Sequence, residues 1–254
     1  EYYNSIFELY AEWGVDFIKI DDLSRPYHTG EIELTRNAID KCGRPIVLST
    51  SPGATPIDAA VHVSDHANMW RMVDDVWDTW GHIAHLMNVC EQWYHYIGTG
   101  TWPDCDMIPL GRISIRGERG EERMTRLTPK EQYTLMTLFS IFKSPLFFGG
   151  DLPSNDEFTR SLLTNSEVLK MHKESSHVRQ LFQKDGKVAI TSVNNTSGDT
   201  YLALFNMSDS EQTINVEVVL ASLGLEGEYQ ITNMWTGEQM GKFSASFGQD
   251  LPAH

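Results

Sequence analysis

The fold class follows from one stretch near the start of the chain, Gly14-Val15-Asp16-Phe17-Ile18-Lys19-Ile20-Asp21. Its side chains alternate with a period of two, which is typical of a β-strand. Ile18 and Ile20 therefore share one face of the strand, whereas Lys19 and Asp21 share the other. An amphipathic helical pattern precedes the stretch, so we expect a helix, then a strand, then a carboxylate at the strand's end.

Similar strand patterns recur along the first 150 residues, with ends near residues 21, 51, 71, 106 and 150. Their average spacing of roughly 32 residues is close to the roughly 31 residues per βα unit of a TIM barrel. A doubly wound sheet has the same alternation, but no glycine-rich phosphate loop follows any of these strands. We therefore predict an α/β fold containing about five of the eight βα units of a TIM barrel, its C-terminal part. The first three units are expected to lie outside this chain.

The pattern changes from about residue 177 onward. Short alternating runs are separated there by turn-rich segments, which is typical of antiparallel sheets. These runs cover residues 187–190, 201–205, 213–218 and 229–231. We predict two domains, a partial TIM-barrel catalytic domain at 1–176 and a small antiparallel β-domain at 177–254.

Composition limits the partners. The 254 residues contain 35 Asp and Glu against 20 Lys and Arg, a formal net charge of -15. Such a chain repels phosphate backbones, so nucleic acid is not an expected partner. No apolar stretch approaches the roughly 18 residues of a membrane span. The chain opens at Glu1 within a helical pattern, so both ends are expected to be cut. We expect a secreted or periplasmic rather than a cytoplasmic location, with any signal peptide before Glu1.

Cysteine and histidine patterns give no sign of a metal or a cofactor. The three cysteines, at positions 42, 90 and 105, form no short-spaced pair and are expected to be free thiols. The histidines are scattered, and those nearest to a cluster are His62, His66, His82 and His85. No HExxH motif accompanies them, so the sequence predicts neither a metal site nor a cofactor.

Polar side chains follow the predicted strands where the active-site rim of a barrel would be. Asp21 ends the first strand with Lys19 on the same face, and the ammonium group favours the ionised carboxylate. Asp75 lies four residues beyond Arg71, and its neighbour Asp74 competes with it for the role of a helix cap. Taken singly, each acid is equally compatible with a structural ion pair or a solvated turn.

Taken together, the acids indicate hydrolysis of a glycosidic bond. Glycosidases use one carboxyl group as nucleophile and another as proton donor. Trp70 and Trp102 could stack against the apolar face of a sugar ring. Two other classes of protein stay open at this point. One is a binding module or an inactive remnant of an enzyme. The other is a metal-dependent barrel hydrolase, which requires paired histidines at strand ends, and the sequence has none there.

Four segments, in order, resemble glycoside hydrolase family 27, the α-galactosidases and α-N-acetylgalactosaminidases. Residues 14–21 resemble the nucleophile strand of that family, in which a K-x-D run ends in the nucleophilic Asp. Residues 70–76, Trp-Arg-Met-Val-Asp-Asp-Val, resemble the acid/base segment, and residues 102–107 resemble its W-N-D-P-D-M stretch. Residues 143–152 are similar to the last barrel strand.

The resemblance implies a retaining glycoside hydrolase that cleaves terminal α-galactosyl residues without metal or cofactor. Asp21 would be the nucleophile, and Asp75 the acid/base. The implied substrate-binding residues are Lys19, Ser51, Trp70, Arg71 and Asp106.

Two departures bear on the sugar and the compartment. Asp22 and Leu23 stand where many members carry a disulfide-bonded Cys. Residues 50–54, Thr-Ser-Pro-Gly-Ala, stand where galactosidases commonly carry Cys-Glu-Trp, and the small side chains resemble the N-acetylgalactosaminidase version. The alternatives are therefore an α-N-acetylgalactosaminidase, a β-L-arabinopyranosidase or an inactive carbohydrate-binding fragment. Residues 1–254 alone are expected to be inactive.

Overall fold

The computed structural model describes residues 1–51 and 53–254, and the chain divides into two compact units. The first unit contains residues 1–77, 85–107 and 144–147. The second contains residues 78–84, 108–143 and 148–254. Pro52, which belongs to the turn predicted after the second strand, lies outside the described residues.

The first unit is built on a four-stranded parallel sheet with strand order β1-β2-β3-β4. These strands are Phe17–Ile20, Val47–Thr50, Met69–Arg71 and Trp102–Asp104, respectively. Helices alternate with them along the chain: α1 at Tyr2–Glu12, α2 at Thr29–Lys41, α3 at Ala60–His66 and α4 at Trp80–Trp93. Sequential strands that pair in parallel with helical crossovers are the expected βα units of a barrel.

Burial differs between the strands of this sheet. All of β3 is buried, and Leu48 of β2 is fully enclosed, because helices cover both strands. By contrast, β1 is half exposed, and Phe17 lies at its outer edge near the ring of Phe147, with the ring centroids 6.2 Å apart. The core of the unit is therefore centred on β2 and β3, whose side chains are removed from water.

The fifth predicted strand differs from the expectation. Residues 145–148 contribute only the two-residue strand β8, Phe147–Phe148, which pairs with β5, Met107–Ile108, and not with the four-stranded sheet. Pro145 lacks an amide hydrogen, which removes one rung of pairing. Gly150 lies so close to Leu110 that an added Cβ would stand 2.2 Å from its carbonyl oxygen, and this crowding demands glycine there.

In the second unit, side chains cap the N-terminus of α5. Thr128 caps the helix Pro129–Phe142: its hydroxyl accepts a hydrogen bond from the Glu131 amide, and the Glu131 carboxylate accepts one from the Thr128 amide. This reciprocal capping satisfies two amides that the helix leaves unpaired. The unit also contains β6 at Arg112–Ile113, β7 at Arg123–Met124, α6 at Glu157–Leu163 and α7 at Ser166–Glu174.

The rest of the second unit is antiparallel β-structure, as predicted. Its strands are β9 Ser175–Lys184, β10 Lys187–Asn194, β11 Thr200–Asn206, β12 Ile214–Val219, β13 Tyr229–Thr232, β14 Gln239–Phe243 and β15 Ser246–Leu251. They pair as β11-β10-β9, β12-β15 and β13-β14.

The sequence predicted only four of these seven strands. It missed β9, β14 and β15, and in the last two Gly241 and Gly248 interrupt the alternation of apolar residues that a strand prediction relies on. Gly248 lies opposite Glu217 across the strand pair, and a Cβ there would stand 3.1 Å from the Glu217 Cβ. Close approach of the two strands therefore explains Gly248. This contact depends on tertiary structure, so the sequence alone does not reveal it. Among the described residues, no helix combines the length and apolar character that a membrane crossing needs.

Candidate active site

The carboxyl ends of the four parallel strands place the predicted polar residues along one edge of the sheet. Arg71 ends β3 opposite Asp104, which ends β4. Ser51 follows β2, and its amide donates a hydrogen bond of 2.9 Å to the carbonyl of Ile20, the residue before Asp21. In-register pairing thus brings the ends of β1 to β4 side by side, as the rim of a barrel requires.

At the end of β1, Lys19 and Asp21 form a solvent-accessible ion pair. The Lys19 Nζ lies 3.8 Å from the Asp21 Oδ1, and the two side chains are 53% and 66% exposed. An exposed pair of this kind adds little stability. Its accessibility leaves both groups open to a ligand. Asp22 follows with a positive φ of 61°, a conformation that Asp tolerates and that turns the chain sharply after the carboxylate.

Arg71 lies between an exposed and a buried carboxylate. Its side chain is only 3% exposed. The Nη2 atom lies 3.2 Å from the Asp75 Oδ1, and the Nη1 atom lies 2.6 Å from the Asp106 Oδ1. The other Asp106 oxygen accepts a hydrogen bond of 2.7 Å from the Val76 amide. The planar guanidinium group can hold two carboxylates in fixed directions, which Lys cannot do equally well. Arg71 therefore sets the position of Asp75 relative to Asp106.

The neighbouring acids Asp74 and Asp75 have different partners. Arg25 holds Asp74 through two hydrogen bonds, of 3.1 and 2.5 Å. Asp75 makes the single contact with Arg71 and is 69% exposed. The geometry thus distinguishes two residues that sequence reasoning could not separate by physical argument.

Behind this rim lies Asp104, a buried acid that the sequence analysis did not single out. Burial raises its pKa to about 7, although a hydrogen bond from the Asp106 amide and the charge of Arg71 both act in the opposite direction. Burial also raises the pKa of Asp106, again against the attraction of Arg71. Desolvation penalises the charged carboxylate, so these acids hold protons more strongly than an exposed acid does. The missed signal was the repeat of Asp at 104 and 106 after a strand.

Two of the predicted sugar-binding residues are buried. Trp70 has no exposed surface and packs against Trp93, with ring centroids 5.9 Å apart. Its ring offers no face to a sugar in this conformation, because it belongs to the hydrophobic core. Ser51 is 1% exposed, and its hydroxyl has no hydrogen-bond partner among the described residues. A buried hydroxyl of this kind is costly unless a water or a ligand satisfies it.

The cysteines are free thiols, as expected. Cys90 and Cys105 are nevertheless close, with Sγ atoms 3.8 Å apart in a buried site. Burial raises the pKa of the Cys105 thiol, so the thiolate form is disfavoured.

Comparison with protein families identifies both parts of the chain. The family described as Alpha galactosidase A matches residues 1–174, and the Alpha galactosidase C-terminal beta sandwich domain matches residues 185–254. An α-galactosidase from Oryza sativa subsp. japonica is 25% identical over 245 residues, which cover 93% of this chain and 55% of that protein. An α-N-acetylgalactosaminidase from Gallus gallus is 22% identical and is covered over 58% of its length.

The solved structures agree in fold. A β-L-arabinopyranosidase of glycoside hydrolase family 27 from Geobacillus stearothermophilus is 46% identical, with a TM-score of 0.93 over 99% of this chain and 59% of that one. The α-galactosidase I of Mortierella vinacea, at 19% identity, has a TM-score of 0.82. This chain spans about half to two-thirds of the length of the curated relatives described above. On the family match over residues 1–174, the chain belongs to glycoside hydrolase family 27, the α-galactosidase family, with its TIM-barrel and C-terminal β-domain architecture.

Proposed function

We propose that the protein is a retaining glycoside hydrolase that removes a terminal α-D-galactosyl or stereochemically equivalent residue from a carbohydrate. The observation that carries this proposal is the pair of exposed acids, Asp21 after β1 and Asp75 in the loop after β3, on the same edge of the sheet, with Arg71 bridging Asp75 to the largely buried Asp106. Glycosidases need such a nucleophile and proton donor within a polar frame. Neither acid is held in a bidentate ion pair, so both are accessible to substrate.

In the first step, an oxygen of Asp21 attacks the anomeric carbon while the bond from that carbon to the leaving oxygen breaks. Asp75 donates a proton to the leaving oxygen, which departs as an alcohol, and the sugar stays bound to Asp21 as an ester. In the second step, Asp75 takes a proton from water, whose oxygen attacks the anomeric carbon and releases Asp21. Two inversions give net retention of configuration.

The remaining polar residues bind and orient the substrate in this proposal. The ammonium group of Lys19 lies beside the Asp21 carboxylate and offers hydrogen bonds to a sugar hydroxyl. Asp106 accepts a hydrogen bond from another hydroxyl, and the partnerless hydroxyl of Ser51 lies near the sugar's 2-position. Trp70 supports Arg71 from the core in place of stacking on the sugar, because its ring is fully buried.

A second candidate substrate is a β-L-arabinopyranoside. This sugar has the ring configuration of an α-D-galactoside and lacks its hydroxymethyl group, so the same catalytic acids can serve both. The similarity supports it, because the Geobacillus β-L-arabinopyranosidase is 46% identical, against 25% for the rice α-galactosidase. An α-N-acetylgalactosaminide is the third, since the small Ser51 leaves space beside the 2-position.

The experiment compares kcat/KM for the three corresponding p-nitrophenyl glycosides with the same preparation of the complete protein. We expect turnover of the α-galactoside or the β-L-arabinopyranoside. The Asp21→Asn variant is the control for a contaminating enzyme. No turnover of any of the three would contradict the proposal.

Two further proposals concern the chain as a whole. We propose a division between a catalytic domain at 1–176 and a β-domain at 177–254. We also propose that residues 1–254 on their own turn over little substrate, because in the described residues the parallel sheet has four strands and so leaves two open edges.

A further inference from the structure

A group of metal-ligating side chains lies on two helices away from the strand ends. Glu33 belongs to α2, whereas His62 and His66 stand one turn apart on α3 and so share a face of that helix. One ligand atom from each residue lies within 4.8 Å of the other two. Two imidazoles at i and i+4 with a carboxylate from a neighbouring helix form a set of ligands that zinc commonly uses.

The hydrogen bonds of the two imidazoles fix which nitrogen is available. The Nδ1 of His66 lies 2.8 Å from the carbonyl oxygen of His62. A carbonyl oxygen only accepts, so this Nδ1 carries the proton, and the Nε2 presents its lone pair. A ligating histidine that donates its other N–H to an oxygen is the usual arrangement in metal sites.

Tyr27 plays the same part for His62. Its hydroxyl lies 2.7 Å from the Nδ1 of His62, and the ring also packs edge-on against the imidazole. With a metal ion on Nε2, the Nδ1 of His62 would carry the proton and donate a hydrogen bond to this hydroxyl. Without a metal, the Nε2 of His62 carries the proton and donates it in a hydrogen bond to Glu33, whose Oε1 lies 3.3 Å away, and a bound metal ion would displace this proton.

We propose that Glu33, His62 and His66 bind one Zn²⁺ ion through a carboxylate oxygen and two Nε2 atoms, with solvent as the fourth ligand. In tetrahedral zinc sites with bonds of 2.0–2.2 Å, ligand atoms stand roughly 3.4 Å apart. The cluster needs a contraction of up to about 1.4 Å, supplied by rotation of half-exposed Glu33 and of the two imidazoles, whose rings are stacked with centroids 4.2 Å apart. Two nitrogen ligands disfavour Ca²⁺ and Mg²⁺, which prefer oxygen.

The ion would connect α2 to α3 on one side of the sheet. A divalent charge would also replace the weak hydrogen bond between His62 and Glu33 with two metal bonds. Because an ion that binds only the folded state stabilises that state, the expected consequence is a higher unfolding temperature. The site shares no residue with the proposed catalytic acids, so activity with saturated substrate is expected to be independent of zinc.

The experiment is isothermal titration calorimetry of ZnCl₂ into protein treated with a chelator and then freed of it. We expect one ion per chain with a dissociation constant on the order of micromolar. Glu33→Gln and His66→Gln are each expected to weaken binding at least about tenfold. The control His85→Gln removes an exposed histidine from α4 and is expected to bind zinc as the wild type does.

Thermal unfolding gives the second measurement. Zinc is expected to raise the unfolding temperature of the wild type and of His85→Gln, and not that of His66→Gln. Equal binding by His66→Gln and the wild type would overturn the proposal. Absence of binding to the wild type would also overturn it, and the cluster would then be a hydrogen-bonded group only. Loss of zinc binding with full glycosidase activity would leave the proposed function intact.

Discussion

Two pairs of carboxylates occupy the same edge of the parallel sheet, and they differ in burial. Asp21 and Asp75 are 66% and 69% exposed, whereas the Asp106 side chain is 15% exposed and Asp104 is buried. The exposed pair can reach a substrate but contributes little stability. The buried pair has raised pKa values and holds Arg71 and the strand ends in position. In the proposed mechanism the exposed pair would act on the substrate, whereas Asp104 would only support the site and Asp106 would hold Arg71 and accept a hydrogen bond from the sugar.

Arg71 is what couples the two pairs. It is the one side chain with an ion pair to a member of each pair in the described structure. Removing one partner from a buried ion pair costs more than the pair itself contributes, because an uncompensated charge is left in the interior. Changes to the exposed acids should therefore alter turnover and leave stability unchanged, while changes to the buried acids should alter stability and its pH dependence.

The largest effect is expected from Asp21→Asn. Loss of the nucleophile should lower kcat by at least about 10³-fold, and azide should restore part of the activity because it can attack the anomeric carbon in place of the carboxylate. The free energy of unfolding should not fall, since Asp21 is exposed. The control is Asp22→Asn, which changes the adjacent acid and keeps a residue that tolerates the positive φ. Near-normal turnover of Asp21→Asn without azide would exclude it as the nucleophile.

The next largest effect is expected from Asp75→Asn, measured with two leaving groups. With an alkyl glycoside, whose leaving oxygen needs a proton, kcat/KM should fall about 10²–10³-fold. With p-nitrophenyl glycosides the fall should be much smaller, because nitrophenolate leaves without protonation. Asp74→Asn provides the control, since Arg25 holds that acid. Equal losses on both substrates would show that Asp75 does not act as the proton donor.

A smaller effect is expected from Asp104→Asn, and it should appear in stability. Folded Asp104 keeps its proton up to about pH 7, whereas an unfolded Asp loses it near pH 3.9. Between these values the folded state binds more protons, so this group lowers the free energy of unfolding as pH rises.

Asp104→Asn should remove this loss, a relative gain on the order of 2 kcal/mol between about pH 5 and pH 7. Urea unfolding of the wild type and the variant at several pH values measures it. Asp58→Asn, an exposed acid, is the control. An unchanged pH slope in Asp104→Asn would mean that burial does not hold the proton on this residue.

Sequence periodicity was enough for the parallel sheet and for the presence of the antiparallel β-structure. Strands β1 to β4 alternate with helices at a regular spacing that the apolar pattern of the sequence reveals. Strands β14 and β15 were missed because Gly241 and Gly248 interrupt their apolar alternation, and for Gly248 the cause is the close approach of β12, which a single sequence does not reveal. Strand β8 was overestimated because an apolar run cannot show which partner it pairs with.

For the site, the residue types at the strand ends were predictable from the sequence, whereas their burial was not. Trp70 and Ser51 were predicted to contact sugar, but both are buried. Asp104 was overlooked because the repeat of Asp at 104 and 106 marks both acids alike and does not show which of them is buried. The group of Glu33, His62 and His66 was also missed. The i, i+4 spacing of His62 and His66 was a visible signal, but the carboxylate comes from a different helix and only the fold brings it near.

Trapping the covalent intermediate on the complete protein tests most directly whether Asp21 is the nucleophile of a retaining mechanism. A fluorinated sugar with an activated leaving group slows the second step, so the ester on the nucleophile accumulates and can be located by mass spectrometry of peptides. The proposed mechanism predicts a single added glycosyl group on the peptide containing Asp21, and no label in the Asp21→Asn variant. A label on another acid, or an inverted first product by NMR without any covalent adduct, would contradict it.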